Sequence, residues 1–434
     1  MYYRYPATDR SILPELWDKA CMSDRIGASN RAQWSNRATM NVLILGDGTE
    51  ERAWASWFSA HPQHHLEVVY PGFAGDDFAD THVAGDLDGA LATAGIDLAV
   101  VGGPLAFRGE ALRRAAAEGL AILCIHPPGA DSEAYYQVAL SRAETGAVVV
   151  PDLPLRLHPG VARLQEAIAT GELGAVRGIR HECPANPADG ELARTSFPRM
   201  VDVVRALLGE IEALTASGDP PGEHPDLELV VQLRGAQGRR AEVRIWTGHA
   251  EPARLSVNGS DGLLTLEYDP SFREPARLIH RAGPPGGEQI DDLGLWDSHA
   301  AIMETLLGCF ESRGRQSPEG PRPNLSDGTR AMELSEAVVR SLRRGRTIDL
   351  HYEAISEDTS FKSIMTSTGC MILMAALLIL PLALAGPALG INWTIYLAYL
   401  IPPVLVLFVV FQVLRIGIRK DDGADRKQEG APGD

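Results

Sequence analysis

Asn41-Val42-Leu43-Ile44-Leu45-Gly46-Asp47-Gly48 is a short apolar run that stops on two glycines, and an amphipathic stretch rich in Ala and Trp follows directly. A continuous Val/Ile/Leu run marks a parallel strand buried on both faces. Glycines after it let the chain turn tightly into a helix while backbone N–H groups close around a phosphate. The same texture continues to about residue 150. Leu66 to Tyr70, Leu98 to Val101, Ala121 to Ile125 and Ala147 to Val150 read as strands, and Ala111 to Gly119 and Ser132 to Thr145 as helices. Strands alternating with helices predict a parallel sheet with right-handed crossovers, whose ligands bind beyond the carboxyl ends of the strands. The candidate loops are Gly46-Asp47-Gly48, Gly102-Gly103-Pro104 and His126-Pro127-Pro128.

Past Pro151 the pattern changes. Val161 to Thr170 and Arg199 to Leu208 look helical. Alternating segments follow at Leu227 to Leu233, Ala241 to Trp246, Ala253 to Asn258, Leu263 to Tyr268 and Ala276 to His280, separated by Gly, Pro and Asp clusters. That is the spacing of an antiparallel sheet. Met332 to Leu342 makes a further helix and Thr347 to Leu350 a returning strand.

The ends of the chain contrast. Residues 1 to 39 are charged throughout, lack the apolar core of a secretory signal, and read as a poorly ordered extension. Ser363 to Leu414 carries no charge, about twice the ~20 residues that one helix needs to cross a ~30 Å hydrocarbon core. With a Gly386-Pro387 and Gly390-Ile391-Asn392 turn, residues 364–415 are expected to form two membrane-spanning helices. Lys362 on one side and Arg415, Arg419 and Lys420 on the other place both ends, and with them the large N-terminal part, in the cytoplasm. The expected organisation is then an extension (1–39), a Rossmann-like nucleotide-binding domain (40–150), an α+β domain with an open, mainly antiparallel sheet (151–352), a linker (353–363), the hairpin (364–415) and a disordered cytoplasmic tail (416–434).

With 434 residues, 45% of them hydrophobic, the chain is long enough for two real cores. A net charge of −17 argues against nucleic acid as a partner. Its five scattered cysteines, with no Cys-x-x-Cys pair, suggest neither a disulfide framework nor a zinc site.

This order of elements, with several local motifs, resembles the Gfo/Idh/MocA family of NAD(P)-dependent oxidoreductases over roughly residues 41 to 352. The motifs are the Asn41 to Gly48 turn, Ile96-Asp97-Leu98-Ala99-Val100-Val101 leading to Pro104, Arg156-Leu157-His158-Pro159, and Gly171-Glu172-Leu173-Gly174. Leu255 to Glu267 and Ser326-Asp327-Gly328 to Ala337 complete the set. The resemblance implies an N-terminal domain holding NAD or NADP, a second domain that binds substrate and often oligomerises through its open sheet, and oxidation of a sugar or polyol hydroxyl. Gly46, Asp47, Gly48, Gly103 and Pro104 would approach the cofactor.

Three positions depart from the family pattern. In Gly-x-Gly-x-x-Gly/Ala the third small residue is replaced by Glu51, a carboxylate beside the expected pyrophosphate. The family's Glu-Lys-Pro lysine corresponds to His126, which either handles a proton or is a loop histidine braced by Pro127 and Pro128. On the helix bearing the family's Asp and His, Thr195 and Arg199 stand at those positions, with Asp202 nearby. Arg199 can clamp an anion but cannot act as a base. Asp202 either takes part in catalysis or pairs with Arg199 or Arg205. The sequence therefore supports a membrane-anchored oxidoreductase with altered catalytic positions His126, Arg199 and Asp202, or a membrane-attached scaffolding pseudoenzyme that keeps the fold.

Overall fold

The structure is a computed structural model. It describes residues 39–350 apart from 74–77, 79–80, 187–189, 219–226, 249–250, 284–286 and 312–321. The extension, the linker, the expected hairpin 364–415 and the tail lie outside the described residues. Among the described residues no helix is long and apolar enough to cross a membrane.

The first sheet contains β1 (Met40–Leu45), β2 (His64–Tyr70), β3 (His82–Val83), β4 (Leu98–Val101), β5 (Ala121–Cys124) and β6 (Val149–Pro151), in the order β3-β2-β1-β4-β5-β6 and parallel throughout. The glycine-ended run is the central β1, and its four residues from Val42 to Leu45 are nearly inaccessible. Helices α1 (Thr49–Ala60), α2 (Leu87–Leu91), α3 (Leu105–Ala117) and α4 (Glu133–Thr145) make the connections. Trp54, Ala55 and Phe58 bury the inner face of α1 against β1, β4 and β5. A fully buried aromatic of this kind contributes about 1.5–3 kcal/mol. Helix α3 begins six residues before the predicted Ala111, because Pro104 presets the turn at its N-cap and Leu105 continues directly into the helix.

After α5 (Pro159–Thr170), nine strands form a second sheet. These are β7 (Val176–Ala185), β8 (Ile211–Gly218), β9 (Glu228–Gly235), β10 (Arg240–Thr247), β11 (Ala253–Gly259), β12 (Gly262–Tyr268), β13 (Arg277–Ala282), β14 (Glu288–Asp292) and β15 (Ile348–Asp349). Their order is β14-β13-β12-β11-β7-β10-β9-β8-β15. The sheet is antiparallel except where β7 runs parallel to β10, because α6 (Phe197–Leu208) and the β8–β9 hairpin intervene and return the chain in the same direction. Two helices have partners on both sides of the molecule. α7 (Ser298–Glu311) sends Ile302, Met303 and Leu306 into the core around β1 and Trp54. α8 (Leu325–Arg344) packs Leu325 and Met332 against the first sheet's helices and Ala331, Leu334 and Val338 against the second sheet.

Two motifs from the sequence have local physical reasons. His158 caps α5, its Nδ1 accepting from Gly160 N at 3.0 Å, and Pro159 follows at the first helical position. Asn324 and Asp327 form a reciprocal capping box on α8.

Candidate functional site

Strand order reverses between β1 and β4, so the loops after them diverge and leave a crevice at their carboxyl ends. Gly46 (φ +129°) and Gly103 (φ +82°) both adopt backbone angles that favour glycine. A Cβ placed on Gly103 would sit 3.4 Å from Gly46 Cα, so the two turns lie against each other. Pro104 then starts α3 and Gly48 starts α1, while Asp47 is exposed between the glycines.

Arg108, one turn into α3, joins the third loop to these two. Its Nε donates to Gly103 O at 2.6 Å, and its Nη1 donates to Ile125 O at 3.0 Å and Pro127 O at 2.8 Å. The loops near positions 46, 103 and 126 therefore converge, and one guanidinium fixes their spacing.

His126 is fully buried, with a cis peptide to Pro127. Its Nδ1 lies 2.9 Å from Tyr135 Oη, which donates onward to Cys124 Sγ at 3.5 Å. A neutral imidazole carries one proton, on whichever nitrogen its partners select, and Nε2 has no partner among the described residues. Burial, then the guanidinium charges of Arg199 and Arg108, hold the imidazole well below its ordinary pKa. Burial likewise pushes the Cys124 thiol up to about 12.

Arg199, on the first turn of α6, closes the crevice from the other side. Its Nε donates to His126 O at 2.5 Å, and its two Nη atoms grip the Glu50 carboxylate, one at 2.5 Å. Burial works against ionisation of Glu50, but Arg199, with Arg108 and His299, keeps its carboxyl below the usual range. Asp152, just after β6, accepts from Trp54 Nε1 at 2.9 Å, and burial pushes it up to about 6 despite that bond, with Glu50 adding to the rise. His299, at the start of α7, meets the Trp54 ring edge-on at 4.4 Å and is held low by burial against the pull of Asp297 and Glu50.

Asp202 is not in this group. Its side chain is 2% exposed and both oxygens accept from Arg156, Nε at 2.9 Å and Nη2 on the other oxygen. Arg156 Nη1 also reaches Asp327 at 2.8 Å, Asp327 pairs with Arg205, and Glu210 joins Arg205 to Arg330. The partner expected on its own helix, Arg199 or Arg205, is replaced by Arg156, because the packing of α6 turns Asp202 inward while Arg199 points to the crevice. Sequence reasoning thus brought Gly46, Gly48, Gly103, Pro104, His126 and Arg199 to one place and missed Glu50, Arg108, Tyr135, Asp152 and His299. Only Arg108, four residues past the Gly-Pro turn, had a local signal.

No protein-family model and no curated protein matches the sequence. Solved structures do share the fold. Levoglucosan dehydrogenase in complex with NADH and L-sorbose is 17% identical with a TM-score of 0.60, covering 73% of this chain and 100% of its own. GenD2 from gentamicin A biosynthesis, in complex with NAD, is 20% identical with a TM-score of 0.59, covering 72% and 97%. A protein from Sinorhizobium meliloti assigned as a myo-inositol dehydrogenase is 21% identical with a TM-score of 0.57, covering 72% and 100%. At these identities the likeness is one of fold alone, a parallel six-stranded sheet followed by a mixed second sheet.

Proposed function

We propose that this chain is a membrane-anchored NAD(P)-dependent oxidoreductase of the Gfo/Idh/MocA type, acting on a sugar or polyol hydroxyl. One observation carries the reading: three strand-end loops converge at the reversal of strand order, where the Gly103 backbone leaves Gly46 no room for a Cβ, and Arg199 faces them from the second half of the chain. Structures of the same fold hold NADH with L-sorbose, or NAD, which supports this cofactor class and a sugar-like substrate.

When bound, the nicotinamide supplies the hydride acceptor. Gly46, Gly48, Gly102 and Gly103 are the residues whose backbone would hold its diphosphate. Arg199 would orient an anionic group of the substrate, such as the carboxylate or phosphate of a sugar derivative. A neutral imidazole beside two guanidinium groups resists becoming imidazolium. His126 would take up the substrate hydroxyl's proton at Nε2 as the hydride leaves, and an imidazolium held at low pKa gives that proton up readily to water. Asp202 keeps the helix carrying Arg199 in place.

The hairpin 364–415 would hold the protein in the membrane with the domains and tail on the cytoplasmic side, and the open second sheet would support a homo-oligomer. Retention in the membrane pellet after alkaline carbonate washing tests the anchor, and loss of retention on deleting 364–415 locates it.

A second reading, a membrane-attached scaffolding pseudoenzyme, is favoured by one observation: Arg199 is already taken by Glu50 and His126 Nδ1 by Tyr135. Titrating the full-length chain with NAD+, NADH, NADP+ and NADPH separates the two. Binding below about 100 μM raises the melting temperature in excess ligand, and Gly48→Glu removes that rise. No shift with any of the four favours the scaffold.

A further inference from the structure

The N-terminus of α1 offers unpaired N–H groups and positive potential to an anion, yet the helix supplies the anions itself. Glu51 turns back into the glycine turns. Its Oε1 accepts from Gly103 N at 2.5 Å and lies 3.9 Å from Arg108 Nη2, with its side chain 3% exposed. A Cβ on Gly46 would meet Glu51 Oε1 and Cγ at 2.9 Å, and one on Gly48 or Gly102 would meet the same carboxylate closer still. Glycines from two strand ends thus leave one space, and this carboxylate fills it. Glu50 extends the other way, into the fork of Arg199. Between them the two acids engage a backbone donor and a guanidinium at the turns, and a second guanidinium across the crevice.

We propose that Glu50 and Glu51 are an internal ligand, lying in the crevice as a diphosphate-bearing molecule would, and that such a molecule binds only by displacing Glu51. This rests on the reading of the crevice as a dinucleotide site. The carboxylate opposes a diphosphate twice: it occupies the space between the glycines, and it repels a second anion drawn to the same donors. Arg199 becomes available to an anionic substrate only when Glu50 lets go, so the same pair governs both ends of the crevice.

Calorimetric titration of the full-length chain and of Glu51→Ala, Glu51→Gln and Glu50→Gln, with inorganic pyrophosphate and separately with NADH, tests the proposal. Glu51→Ala is expected to bind pyrophosphate at least about tenfold more tightly than the parent. Glu51→Gln, which keeps the shape and the acceptor for Gly103 N–H but not the charge, falls between them. Glu50→Gln leaves pyrophosphate affinity within about twofold. Equal pyrophosphate affinity in the parent and both Glu51 variants overturns the proposal, whatever NADH does. Equal NADH affinity in the parent and Glu51→Ala also overturns it, while the dinucleotide reading survives. A gain for pyrophosphate with no NADH binding in any variant upholds the internal ligand and removes the dinucleotide reading. Should Glu51→Ala fail to fold by circular dichroism, the isosteric Glu51→Gln carries the test.

Discussion

Removing Arg156 is expected to cost more stability than removing Asp202, although the two side chains are partners. Both are buried, Arg156 5% and Asp202 2% exposed. Breaking a buried pair by deleting one member costs about 3–5 kcal/mol, because the survivor stays charged without compensation. Asp202→Ala leaves Arg156 with Asp327 2.8 Å away, so its cost belongs at about 3 kcal/mol. Arg156→Ala leaves two carboxylates, Asp202 and Asp327, with only Arg205 on one of them, which places it at about 5 kcal/mol. The Arg156→Ala/Asp202→Ala double variant should cost less than the sum of the two single losses by about 0.5–3 kcal/mol, as expected of residues in contact. Urea unfolding of the full-length chain followed by circular dichroism measures all three. A cost for Asp202→Ala under about 1 kcal/mol, or one larger than that for Arg156→Ala, refutes the network as drawn. An Asp202→Ala variant of full stability that loses only turnover would return Asp202 to the catalytic set.

Other outcomes follow from the same geometry. The Asp152 carboxyl, raised by burial to about 6, holds an extra proton in the folded state from about pH 4 to 6. Its stabilising contribution is therefore present at low pH and lost as pH rises through 6; Trp54 fluorescence should titrate with a midpoint near 6, and Asp152→Asn should abolish that step. His126, held low, opposes protonation in the fold, so its contribution is present above the unfolded value of about 6.5 and lost as pH falls below it. Its ring resonances should stay those of a neutral imidazole as pH falls well below the ordinary histidine value, and a midpoint near 6.5 would contradict the buried placement. Gly328→Ala drives a Cβ to 2.8 Å from the Tyr135 ring, which is fully buried and holds His126. A cost of about 1–3 kcal/mol is expected, with a shift of the His126 resonances; neither should accompany Thr329→Ala.

Much of the first sheet was legible because a strand covered on both faces must be apolar without interruption, and β1 from Val42 onward, β4 and β5 are. The second sheet was legible where one face is wet, as in β10, whose buried Ala241, Val243 and Ile245 alternate with outward residues. Its central strand β7 was not, since Arg177, Arg180, His181 and Glu182 mask the alternation, and His181 is buried only because Tyr268 and Met200 satisfy its nitrogens. The helix α7 gave a weak amphipathic signal because its open face is itself partly apolar, with Ala300 and Leu307 exposed opposite the buried Ile302, Met303 and Leu306.

The sequence by itself determined the main strands of the first sheet, the glycine turns and the replacement of a small residue by Glu51, since all of these are written in neighbouring residues through periodicity and backbone freedom. Only the tertiary structure decided what the charges do. Glu51 lies in the turn across from Gly103, Glu50 is held by Arg199 from the far half of the chain, and Asp202 pairs with Arg156 instead of facing the crevice. Partners are chosen by proximity in space, and a buried charge accepts whichever counter-ion packing brings within hydrogen-bond reach.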